Sequence, residues 1–199
     1  MKSLINILFA SFCAMTIISC QKKAAEAPES EAQPLTVEQT VNDTLWQRGS
    51  DYEFTALDSV RAYQYYKQSA DAGNAIGYYM LGHALQHGIG VPENAELSDQ
   101  AYRMSFAMLN DLLEKQEDKI LLNFLGSAYY WGDGIEQDRV KAAECYLRSA
   151  ELGNPETMYK IATCYEAGIG VEQDLTKALS WYTQAASAGW QAAIERLNQ

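Results

Sequence analysis

The 199-residue chain has only two histidines, His83 and His87, and few basic side chains: 15 Lys and Arg stand against 26 Asp and Glu, for a net charge of −11. Each shortage excludes something. With both histidines in one short stretch, a Ser-His or Cys-His catalytic pair has to use one of those two rings. The negative balance opposes binding to nucleic acid and to anionic lipid surfaces, and it permits a basic partner. Apart from Ser19 to Lys22 there is no Ser-x-x-Lys, so the serine β-lactamase motif is missing. Cysteine is scarce as well, with Cys13, Cys20, Cys145 and Cys164 the whole complement.

What is present begins with "MKSLINILFASFCAMTIISC". Lys2, an apolar run of secretory length and small residues before a cysteine spell a signal peptide, because the run is too short to span a membrane and stops at a polar segment. Ile17-Ile18-Ser19-Cys20 resembles the lipobox of bacterial lipoproteins. That resemblance implies removal of residues 1–19 and acylation of Cys20, against the plainer alternative of a secretory signal with an incidental cysteine. Gln21, rather than Asp, follows the cysteine. By resemblance to sorted lipoproteins, this implies a lipid-anchored protein of the cell envelope, at the outer membrane and facing the periplasm. Residues 20–40, rich in Ala, Glu, Gln and Pro, bury too little to fold and read as a flexible tether. A folded region is expected over 41–199.

That region repeats itself. "HGIGVPEN" at 87–94, "WGDGIEQD" at 131–138 and "AGIGVEQD" at 167–174 align on a glycine pair, with spacings of 44 and 36. Apolar residues at helical spacing precede each pair (Met158, Ile161, Ala162, Tyr165) and follow it (Ala178, Trp181, Tyr182, Ala185). Each unit therefore reads as helix A, a Gly-x-Gly turn, helix B and a short return. The first glycine suits a left-handed helix end, and Asn94, Asp138 and Asp174 suit helix N-caps. A phosphate-binding reading of the turns fails, since no strand precedes them and no Lys-Ser/Thr follows. The units run over 41–74 (partial), 75–118, 119–154 and 155–189, with a terminal helix at 190–199. The 75–118 unit has eight extra residues and no glycine at its return. Its helix B should be about two turns longer and should project from the edge of the stack.

The pattern Leu125, Gly126, Tyr129, Gly132, Gly134, Asp138, Lys141, Ala142, Tyr146, Ala150, Gly153 resembles the Sel-1-like repeat, a relative of the tetratricopeptide repeat. It is written again from Ile161 to Gly189. The resemblance implies an all-α, right-handed solenoid whose A helices line a concave face that binds a protein or peptide.

Candidate residues follow from this frame. Tyr130 and Trp131 fall in slots held elsewhere by Gln86 with His87 and by Glu166 with Ala167. A solvated Tyr-Trp pair suits an interface anchor, though local packing is an alternative. Tyr78, His83 and His87 are further candidates on helix A, while Tyr79 and Tyr159 share one repeat slot, which suits the core. His83 and His87 share a helix face, but Ala84 stands where a metalloprotease motif needs Glu, so neither a metal nor another cofactor is expected. Cys145 and Cys164 lie nearly equidistant from the Gly153 turn. They can form a disulfide in an oxidising envelope, or pack as two buried thiols. The expected role is an envelope adaptor or scaffold, non-enzymatic, with a protein or peptide as partner. The alternatives are an immunity or inhibitor protein against a periplasmic toxin and, with no catalytic group in view, a wall-modifying or β-lactam-processing enzyme.

Overall fold

The computed structural model describes residues 35–54 and 58–198. Its elements are all α-helices: α1 (Val37–Asn42), α2 (Thr44–Phe54), α3 (Ser59–Asp71), α4 (Ala75–His87), α5 (Ala95–Lys115), α6 (Lys119–Trp131), α7 (Arg139–Glu151), α8 (Pro155–Ala167), α9 (Leu175–Ser187) and α10 (Gln191–Leu197). Helices α2, α4, α6 and α8 are the A helices of four units, and α3, α5, α7 and α9 are the B helices. Short polar side chains start them. Asp58, Asn94, Asp138 and Asp174 each accept backbone N–H bonds at the head of a B helix. Gly88, Gly132 and Gly168 end the A helices at φ 67°, 81° and 68°, where a side chain would be strained.

Two contacts set how the helices stack. Within a unit, a tyrosine eight residues past the N-cap of helix B lies on a glycine of helix A. A Cβ added at Gly49, Gly82 or Gly126 would sit 2.4, 2.9 or 2.7 Å from Tyr66, Tyr102 or Tyr146. Between units, the second turn glycine seats on the preceding B helix. A Cβ at Gly90 would meet Ser59 O at 2.0 Å, and one at Gly170 would meet Arg139 O at 1.9 Å. Ser59 and Arg139 are the first residues of α3 and α7. At Gly134 the same contact falls on Arg103 N at 2.6 Å, eight residues past the start of α5.

The long helix therefore serves two registers. Helix α5 has 21 residues where α3, α7 and α9 have 13. Its first part packs on α4 and its last part carries the next unit. The second half of the solenoid is displaced along the helix axes by eight residues, about 12 Å at 1.5 Å per residue. The expected projection from the edge does not occur. Leu109 and Leu112, in the added turns, are buried in one core cluster with Val37, Ile76, Leu121 and Leu125.

Three other expectations change. Order begins inside the stretch read as a tether: Thr36 and Gln39 form a reciprocal capping box and Val37 is buried. The first unit is complete, because α2 supplies the helix A that pairs with α3. Cys145 and Cys164 are both free and buried, in place of the possible disulfide. Cys145 packs towards Gly126 with Leu121 and Leu125, whereas Cys164 belongs to a separate cluster with Tyr146 and Ile161. Burial pushes each thiol up to about 11, which makes them inert small hydrophobes.

Candidate functional site: an aromatic groove on the A helices

The A helices line a groove of about 730 Å³. Helix α2 contributes Trp46 and Ser50. Helix α4 contributes Tyr79, Met80, His83, Gln86 and His87, and α6 contributes Asn123, Phe124, Ser127 and Trp131. Glu156, Lys160 and Trp190 close the far end, and Tyr102 and Asp133 reach in from α5 and the α6–α7 turn. The floor is a chain of ring contacts. Trp46 meets Phe124 at 5.8 Å, Phe124 meets Tyr79 at 5.3 Å, and Tyr79 meets Tyr102 at 5.2 Å, all edge-on.

That chain ends on a carboxylate. Tyr79 donates its hydroxyl to Asp133 Oδ2 at 2.7 Å, across 54 residues of sequence. Asp133 is 8% exposed, and burial raises its pKa above the ordinary carboxylate value, with the Tyr79 hydrogen bond and His87 opposing. Burial and the facing carboxylate also raise the Tyr79 phenol far above its usual range, so the proton stays on the tyrosine. Among the described residues no lysine or arginine pairs with Asp133; the charged and titratable groups around it are Tyr79, Tyr102 and His87. The turn reaches α4 because of the displaced register. In the undisplaced units, Ile89 and Ile169 hold the equivalent slot and pack among apolar residues.

The opposite wall is already neutralised. Lys160 Nζ lies 2.7 Å from Glu156 Oε1 and donates to Asn123 Oδ1 at 2.8 Å, while Asn123 donates to Glu156 Oε2 at 3.1 Å. Three groove residues keep a buried polar atom without a partner: Trp46 Nε1, Trp190 Nε1 and His83 Nδ1.

The sequence-derived candidates divide. Trp131 is 68% exposed on the groove rim, with Tyr130 beside it at 4.8 Å between ring centroids. Tyr130 is half-buried against the Tyr146 cluster, and Arg139 covers its ring. Its slot has a local purpose. Tyr66, Tyr102 and Tyr182 donate to Glu53, Gln86 and Glu166, but the corresponding position in the third unit is Tyr130, and Tyr146 turns to Ser127. Tyr78, 2% exposed, is core and not groove surface, while its neighbour Tyr79 borders the groove. His83 and His87 line the groove with rings 4.6 Å apart; burial lowers the His83 pKa. Among the described residues no group of three or more His, Cys, Asp or Glu is placed to hold a metal ion. Cys20 lies outside the described residues. Sequence reasoning missed Trp46, Phe124, Trp190 and Asp133. For Asp133 the signal was in view: "GDG" stands where the other two turns read "GIG".

Comparison with known proteins agrees with this architecture. A family model described as Sel1 repeat matches residues 49–74, 75–103, 121–154 and 155–190. The chain belongs to the Sel1 repeat family, a protein-interaction fold. It is similar to a Sel1 repeat protein from Oxalobacter formigenes, with 28% identity and a TM-score of 0.52 over 77% of this chain and 61% of that one. It is also similar to a protective antigen present in uropathogenic Escherichia coli strains that displays an SLR fold, with 28% identity and a TM-score of 0.51 over 75% of this chain and 31% of that one. The chain thus spans less than two thirds of either protein. An immunity protein from Pseudomonas aeruginosa matches at 17% identity and a TM-score of 0.47, over 82% of this chain and 70% of that one. No curated protein matched the chain.

Proposed function

We propose that this protein is a non-enzymatic adaptor of the bacterial cell envelope that holds a protein or peptide segment in the groove of its A helices. The observation that carries the reading is the groove itself: four units contribute to one concave surface, floored by contacting aromatic rings and rimmed by an exposed tryptophan. Rigid aromatic surface of this kind anchors partners at little cost in side-chain entropy. No described helix is long and apolar enough to cross a membrane. On this reading the chain is held at the envelope through acylated Cys20, which raises the effective concentration of the groove near the membrane.

A photo-crosslinking amino acid placed at Trp131, with a control at exposed Gln184 on α9, tests the groove in intact cells. Discrete adducts at 131 that are missing at 184 support the reading; equal labelling at the two positions, or none, overturns it. The anchor is tested separately, since Cys20→Ser should abolish lipid labelling and release the chain from the membrane fraction. A variant that stays in the membrane fraction would exclude the anchor.

A further inference from the structure

Asp133 is an anomaly in its own fold. An aspartate only 8% exposed normally has a cation or several donors, because an unpaired buried charge is unfavourable. Asp133 has one phenol donor, Tyr79, and no cationic partner among the described residues. It occupies a slot where the other two turns of this chain carry isoleucine, so the turn itself does not require it. It opens on the groove, at the end of the Trp46–Phe124–Tyr79 ring chain and beside exposed Trp131. The one lysine of the groove is committed to Glu156 and Asn123 on the opposite wall.

Building on the reading of the groove as a protein-binding surface, we propose that its occupant is an extended basic peptide segment, and that Asp133 receives a lysine or arginine side chain of that segment. The missing counter-charge then comes from the partner. Aromatic faces next to the carboxylate add cation–π attraction, which grows when the cation is desolvated. A net charge of −11 draws a basic segment in. The indole N–H groups of Trp46 and Trp190, buried without partners, gain by turning to peptide carbonyls.

The test is a double-mutant cycle on the full chain. Phage-displayed peptides of random sequence are selected on the wild type. Enriched peptides should share a Lys or Arg at a fixed position. One of them is then synthesised with that residue and with norleucine in its place, and both are titrated against wild type and Asp133→Asn. The amide oxygen can still accept the hydrogen bond from the Tyr79 hydroxyl; should that variant lose its helical circular dichroism, Asp133→Ile, the residue of the sister turns, replaces it. The expected result is a loss of tenfold or more for the norleucine peptide on wild type and nearly equal binding of the two peptides by the variant. Enrichment without a basic position, or the same lysine-to-norleucine ratio on wild type and variant, overturns the Asp133 assignment and leaves the groove reading standing. No enrichment on wild type overturns both.

Discussion

At the scale of the residue, Asp133 sets stability against recognition. Its pKa is raised in the folded protein, so the folded state binds the proton more tightly than the unfolded chain does. The stability linked to that proton is present below the unfolded value of 3.8 and is lost as pH rises through the higher folded value. Asp133→Asn mimics the protonated form. It should raise the melting temperature at pH 7 by about 2–4 °C, the shift that roughly 1 kcal/mol produces in a chain of this size. The gain should disappear below pH 4, and thermal scans at both pH values check it. A gain that is equal at the two pH values would mean that the buried charge is not its origin. The odd residue in the turn of the third unit was legible in the aligned turns, yet its partner was not. Nothing in the spacing of the repeats places Tyr79 beside a residue 54 positions away, because that contact depends on the displaced register.

At the scale of the element, the extra length of α5 was readable from the repeat spacing, but its burial was not. Helical periodicity in "AMLNDLLEK" marks an apolar face without saying which surface covers it. The cover is a core cluster shared with α4, with the adjacent α6 and, far back in the sequence, with Val37 of α1. Leu109→Ala should therefore destabilise the protein by about 2–5 kcal/mol, the range for truncating a buried leucine, as read from urea unfolding. A projecting helix would lose almost nothing. The start of α1 was also in view, since Thr36-Val-Glu-Gln39 is a capping-box pattern at the edge of a polar stretch. At the other end, α10 is held by Arg196, which binds Glu166 together with Tyr182. The Tyr182 hydrogen bond and then Arg196 hold the Glu166 carboxyl below its usual range, so the stability it contributes is present above pH 4.5 and is lost as pH falls through the depressed folded value. Amide hydrogen exchange should show residues 191–197 opening on acidification before α8 and α9 do; simultaneous opening would refute the role of this contact.

At the scale of the whole molecule, stacked units are stable through nearest-neighbour interfaces, so the weakest joint decides where cooperativity breaks. The joint between α5 and α6 is the thinnest of those between successive units, and it is where the register slips by eight residues. Urea unfolding should resolve into two transitions, with residues 37–115 and 119–197 exchanging their amides as separate blocks. A single transition with uniform exchange would show that the joint transmits as well as the others. Tyr79 belongs to the first block and Asp133 to the second. A ligand bound across that pair would act as a suture over a natural fault line. Saturation should fuse the two transitions into one, and by reciprocity any substitution that lets the blocks slide should weaken the ligand without touching it.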